Sequence, residues 1–184
     1  MKNFPKYMTL GALLLFGMPA DAGQNCAQMG ATELVTSQLY CVSSVLSPQS
    51  GNTYGPENLF DGNFGTAWCE GVSGNGKGQE IYIRIEDGIP FRRLLIYNGY
   101  AKSANTYRSN GRVRTIDVLT DRGDRIRTVL PDTSSEVVVN LPGPIEYHEL
   151  RIQIVDVYPG AKYQDTCITF ISPDFEYERS LEFQ

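Results

Sequence analysis

Four cysteines, one histidine and a few loop carboxylates are the residues of this 184-residue chain best suited to chemistry. The lone His148 excludes multi-histidine metal sites and leaves a single base for any Ser or Cys triad. No Gly-x-Ser-x-Gly nucleophile turn is present. Cys26, Cys41, Cys69 and Cys167 include no Cys-x-x-Cys pair and none lies near His148, which favours disulfides over zinc. Three connectivities are open. The spacings favour Cys26–Cys41 as a local clip and Cys69–Cys167 as a long-range closure contributing roughly 4–5 kcal/mol on the loop-entropy model. Glu70 and Asp165 form the carboxylate pair a glycoside hydrolase would need, roughly 5–9 Å apart with one raised pKa. Sequence supplies neither condition, so the chain is read as a non-enzyme.

Disulfides need an oxidising compartment, and the first residues offer a route to one. Lys2 and Lys6 precede an apolar run, Met8 to Met18, and Ala20-Asp21-Ala22 forms an Ala-x-Ala cleavage site. Residues 1–22 are therefore expected to be a signal peptide, with the protein secreted or periplasmic. The apolar run falls short of the roughly 20 residues that span a bilayer, and no second long apolar stretch follows, so no membrane span is expected. The net charge of −5 speaks against a nucleic-acid partner, since phosphate contacts need clustered Lys and Arg.

The elements that must position these residues read as strands. Residues 23–38 form a short N-terminal segment with a brief helix over Ala31 to Gln38. Strands follow at Leu39 to Leu46, Gln79 to Ile85, Phe91 to Tyr97, Val113 to Leu119, Arg125 to Leu130, Glu136 to Leu141, Tyr147 to Val157 and Cys167 to Ile171. Ile81, Ile83 and Ile85 alternate with Glu80, Tyr82 and Arg84, as do Val137, Val139 and Leu141, and Leu150, Ile152 and Ile154, each set marking a buried face. Residues 120–124, Thr-Asp-Arg-Gly-Asp, signal a hairpin. About eight strands with turn residues between them predict an all-β, antiparallel sandwich over residues 39–172. Residues 173–184 form a C-terminal tail, read as an added strand or a loose end. His148 shares parity with Leu150 and Ile152 and reads as a core or rim residue. Two long loops, 49–78 with a helical turn at Pro56 to Phe60, and 98–111, exceed what connection requires and are where a site belongs.

Residues Ser47-Pro48, Asn58-Leu59-Phe60-Asp61-Gly62-Asn63 and Thr66-Ala67-Trp68 resemble the first third of discoidin domains, the coagulation-factor type C or galactose-binding-like domains. Several later stretches narrow the resemblance to the NAD-glycohydrolase-type glycan-binding subgroup. They are Trp68-Cys69-Glu70-Gly71, Gly74 to Gly78, Asn98-Gly99-Tyr100-Ala101-Lys102, Val157-Tyr158-Pro159-Gly160, Tyr163 and Asp165-Thr166. The resemblance covers about residues 40–172 and implies an eight-stranded jelly-roll sandwich that binds carbohydrate, or alternatively another protein as an accessory module, without catalysis.

Sugar sites combine an aromatic face with a few charged or amide groups. Trp68, Glu70, Tyr100, Lys102, Asn105, Tyr107, Asn110 and Arg112 supply these groups, with Asp165 drawn near by a Cys69–Cys167 bond. Each also has a structural reading: Trp68 as a core plug, Glu70 as the partner of Arg112 or Lys102, Asn110 as a turn residue and Asp165 as a loop brace. The resemblance further implies a calcium loop with Asp61, Asn63 and Thr66 as oxygen ligands. It places a late acidic ligand near position 170, where this chain has Phe170. The expected calcium site is weak or absent, and no other cofactor is expected.

Overall fold

The computed structural model describes residues 25–182, so the signal-peptide expectation for residues 1–22 lies outside the described residues. Ten strands follow one another: β1 (Cys26–Met29), β2 (Ser37–Val42), β3 (Trp68–Cys69), β4 (Glu80–Glu86), β5 (Phe91–Asn98), β6 (Gly111–Thr120), β7 (Arg125–Val129), β8 (Glu136–Ile145), β9 (Glu149–Tyr158) and β10 (Thr166–Pro173). Two short helices, α1 (Ala104–Ser109) and α2 (Phe175–Leu181), and a 3-10 turn over Pro56–Leu59 complete the described elements. The strands run in the order β1-β2-β4-β9-β6-β10-β5-β8, with β3 on β10 and β7 on β6. The sheet folds over on itself without closing, as a β-sandwich.

The three alternating sets bury one face as their patterns demand. Ile81, Ile83 and Ile85, then Leu150, Ile152 and Ile154, then Val137, Val139 and Leu141 all join one core with Tyr40, Leu59, Phe91, Leu94 and Ile116. All named strand pairs but one are antiparallel. The exception joins Thr166 and Cys167 of β10 to Gly111 and Arg112 of β6, side by side and parallel. Gly111 permits that approach, because a Cβ there would lie 2.5 Å from the Thr166 hydroxyl oxygen.

Both favoured disulfides form, Cys26–Cys41 and Cys69–Cys167, each between residues paired across neighbouring strands. Three local expectations fail. Ala31 to Gln38 is not helical, because Ser37 and Gln38 already pair with Glu86 and Ile85 of β4. Loop 98–111 contains α1, started by a reciprocal Ser103–Thr106 capping box. The tail is neither strand nor loose: Asp174 caps α2, whose Phe175 enters the core while Glu178 pairs with Arg92. His148 is exposed at the start of β9, where its backbone N–H donates to Asp121.

Asp117 of β6 is buried beneath two half-exposed arginines, Arg127 and Arg125. The Arg127 hydrogen bonds lead in holding its carboxyl down at about 2, against the opposing cost of burial, with Arg125 adding to them. An ordinary Asp protonates near 3.9 in the unfolded chain. Stability from this group is therefore complete well above pH 4 and is lost as pH falls towards 2. Denaturant melts from pH 6 to pH 2 are expected to show a steep acid decline that Asp117→Asn makes shallower.

Candidate functional site

The five loops that carry most of the chain's unusual residues are bonded to one another, which gathers them at one end of the sandwich. Loop 70–78 meets loop 159–165 through the Glu70 N–H to the Thr166 carbonyl and the Thr166 hydroxyl to the Asn75 carbonyl. The N–H groups of Lys162 and Tyr163 donate to the Ser109 carbonyl in the α1 loop. Tyr100 donates through its hydroxyl to the Gly65 carbonyl and to Asn52, so turn 61–66 and loop 49–54 join the same cluster. The Cys69–Cys167 bond lies at the base, in a small cluster with Tyr54, Ala67 and Tyr100.

Most of the residues chosen from sequence form the frame of this end rather than its surface. Trp68 is fully buried in the main core, with its indole N–H donating to the Ser44 carbonyl at 2.9 Å. It is the core plug and presents no face to a ligand. Glu70 is equally buried and pairs with neither Arg112 nor Lys102. Its two oxygens accept from the backbone N–H groups of Thr166 (3.1 Å) and Val72 (2.9 Å). Burial raises its carboxyl above the usual range, those two N–H groups draw it down, and the Asp165 charge adds to the rise. Glu70→Ala is expected to cost about 1–3 kcal/mol, chiefly because the buried Thr166 N–H is orphaned, and Glu70→Gln clearly less. Urea titration checks the order.

Arg112 is nine-tenths buried and its guanidinium clamps three segments. It makes a bidentate pair with Asp132 (3.1 and 2.7 Å) and donates to the carbonyls of Asn110 (3.1 Å) and Pro159 (2.8 Å). Tyr107 adds a hydroxyl bond to Asp132 at 2.9 Å. Asn110 ends α1, its amide donating to the Thr106 carbonyl. These residues are structural braces, and Asp132, twenty residues along the chain from Arg112, is the partner that sequence reasoning missed.

The groups left at the surface of this end are Lys102, Asn105 and, half-buried, Asp165. Three residues outside the sequence-based set join them. Asn52 accepts from both Lys102 (3.2 Å) and Tyr100 (3.3 Å) through one side-chain oxygen. Tyr54 packs edge-on to Tyr100. Burial raises the Tyr54 phenol, Asn52 lowers it, and the nearby Asp165 and Tyr163 push it up again. Tyr163 itself is 45% exposed beside the Lys162 ammonium. The result is a rigid aromatic base carrying an amide, a cation, a carboxylate and one exposed phenol, which is hydrogen-bonding and stacking chemistry. With both Glu70 oxygens taken and the residue buried, Glu70 and Asp165 do not make an accessible acid/base pair.

Asp61, Asn63 and Thr66 come together, but each is engaged within its own turn. Asp61 accepts from the Asn63 N–H (2.8 Å) and the Thr66 hydroxyl (2.6 Å), and Asn63 accepts from the Gly65 N–H (2.9 Å). Phe170 packs on Tyr97 instead of offering a carboxylate. Among the described residues, no group of three or more His, Cys, Asp and Glu side chains comes together. One carboxylate, already accepting two hydrogen bonds, fits a calcium ion poorly.

An open β-sandwich with five loops tied together at one end, above a disulfide that joins β3 to the late strand β10, defines a discoidin-type fold. The chain belongs to the NAD glycohydrolase translocation F5/8 type C domain family, whose model matches residues 33–174. Its fold is similar to that of the family 32 carbohydrate-binding module of C. perfringens NanJ, solved in complex with galactose. The two share 15% identity and a TM-score of 0.55 over 74% of this chain and 92% of that one. The family 32 module of Streptococcus pneumoniae EndoD gives 13% identity and a TM-score of 0.54 over 73% and 94%. The mycobacterial arabinofuranosyltransferase AftD gives 19% identity and a TM-score of 0.57 over 80% of this chain, which corresponds to 10% of AftD. No curated protein matches the chain by sequence.

Proposed function

We propose that the protein is an exported, non-catalytic glycan-binding module whose site is the loop end around Asn52, Lys102, Tyr163 and Asp165. The observation that carries this reading is the division of labour at that end. Buried braces hold the loops in place, leaving a small set of hydrogen-bonding groups and the exposed Tyr163 ring facing outwards. Loops already ordered before binding lose little entropy on binding, which suits weakly interacting sugar hydroxyls. The similarity to carbohydrate-binding modules supports the ligand class, and two disulfides support an oxidising compartment. No helix among the described residues is long and apolar enough to cross a membrane. The reading assigns no cofactor.

The test is an immobilised-glycan array probed with the oxidised protein, alongside Lys102→Ala and Asp165→Ala. Selective binding weakened about tenfold by either substitution is expected, since each removes charge-assisted hydrogen bonds. Melting temperatures should stay within a few degrees of the parent, because neither side chain braces the fold. Absence of binding across the array refutes the reading. Capture of a protein partner through the same four residues would replace it with an accessory-module role.

A further inference from the structure

Beside turn 61–66, on the outer face of β5 and β10, lies a groove of about 210 Å³ that the loop-end site does not use. Phe64, Leu95, Tyr97 and Phe170 line it with apolar surface, Asn63 and Glu136 stand at its exposed rim, and the buried Thr169 hydroxyl is already bonded to Gly99 and Ala101. Phe64 is 49% exposed although it stands at the tip of a turn made otherwise of small and polar residues. The turn is rigidly closed by the Asp61, Asn63 and Thr66 bonds described above. The Phe64 ring rests edge-to-face on Tyr97, with centroids 4.7 Å apart and planes at 74°, and Tyr97 rests likewise on Phe170 at 6.1 Å and 77°. The three rings thus form one edge-to-face aromatic platform, in which the exposed Phe64 ring is the one left to stack. At its edge the Tyr97 hydroxyl donates to the exposed Glu136 carboxylate at 3.3 Å.

We infer that this platform is a second carbohydrate subsite, stacking the C–H face of one pyranose ring while Glu136 and the Asn63 amide receive its hydroxyl edge. The inference rests on the glycan-binding reading and adds to it a place and a mode. A pyranose is apolar on its faces and polar around its rim, which matches an aromatic floor bounded by a carboxylate and an amide. The volume suits a single ring rather than a branched chain. Glu136 and Asn63 are both exposed at the rim, so a hydroxyl-bearing ring finds hydrogen-bond partners there that a purely apolar occupant would leave unused.

The experiment takes the glycan that the array selects and titrates it into the oxidised protein, Phe64→Ala and Phe64→Leu, following binding by calorimetry and ring signals by NMR. The expected result is movement of the Phe64 and Tyr97 ring signals and a loss of affinity of about fivefold to tenfold in both variants. Leucine should not rescue, because it keeps apolar volume without a face. Unchanged melting temperatures in both variants would show that the effect is not unfolding. Full affinity in Phe64→Ala with unmoved ring signals overturns the subsite and leaves the loop-end reading intact. Failure of any array glycan to bind the parent removes the loop-end reading, and this subsite with it. Self-association that Phe64→Ala abolishes would overturn the sugar assignment and give the platform to a second copy of the chain.

Discussion

Replacing Trp68 by alanine is expected to destabilise the protein by about 3–5 kcal/mol, the range for deleting a large buried aromatic. Trp68 is completely enclosed, sits opposite Ile168 of β10, and satisfies the Ser44 carbonyl through its indole. Truncation opens a cavity and orphans that carbonyl at once. Trp68→Phe keeps most of the volume and should cost appreciably less. Denaturant unfolding of the two variants checks the order, and a cost below about 1 kcal/mol for the alanine would contradict the placement. Trp68 is the only tryptophan in the chain, so its emission also reports directly on this burial. Sugar binding should leave that emission unchanged.

The second large effect belongs to Cys69–Cys167. The bond closes a separation of 98 residues, whereas Cys26–Cys41 closes 15. On the loop-entropy model the long closure contributes roughly 4–5 kcal/mol and the short one about 3 kcal/mol. Replacing Cys69 and Cys167 together by alanine should therefore cost more than the same change at Cys26 and Cys41. Function should separate them further. Loops 70–78 and 159–165 both spring from the Cys69–Cys167 pair, so glycan affinity should fall only in the first double variant. The N-terminal clip lies on β1 and β2, at the far edge of the sheet order. Equal effects on affinity would contradict the claim that the disulfide pre-organises the site.

How much of this was legible depends on whether each signal was local. The period-2 runs of β4, β8 and β9 disclose their buried faces because pleat and burial act on consecutive residues. The hairpin between β6 and β7 is equally local. The bracing of the loop end is not. Glu70 meets the Thr166 N–H across 96 residues rather than Arg112 or Lys102, and Arg112 finds Asp132. A carboxylate in a loop reads the same whether it will grip a ligand or a backbone amide. Trp68 posed the same ambiguity, since an aromatic at a loop end can plug a core or face a sugar. Helix α1 buries none of its residues and so left no apolar stripe to find; its only signal is the Ser103–Thr106 cap. Phe64 did leave one, an aromatic ring between Asn63 and Gly65 where a turn ordinarily places polar groups. Tyr163 lies in a stretch that carries the family resemblance, but nothing beside it in the chain marks it as the exposed ring of the proposed site.

The most direct test of the central claim is a backbone and indole NMR map of the oxidised protein during titration with an array-selected glycan. Shifts are expected to concentrate at Asn52, Lys102, Tyr163 and Asp165 and to extend to Phe64, with the Trp68 indole signal and the buried Thr166 amide unmoved. Shifts confined to the outer face of β2, β4 and β9, or movement of the Trp68 indole as the loops open, would contradict a pre-organised glycan site at the loop end.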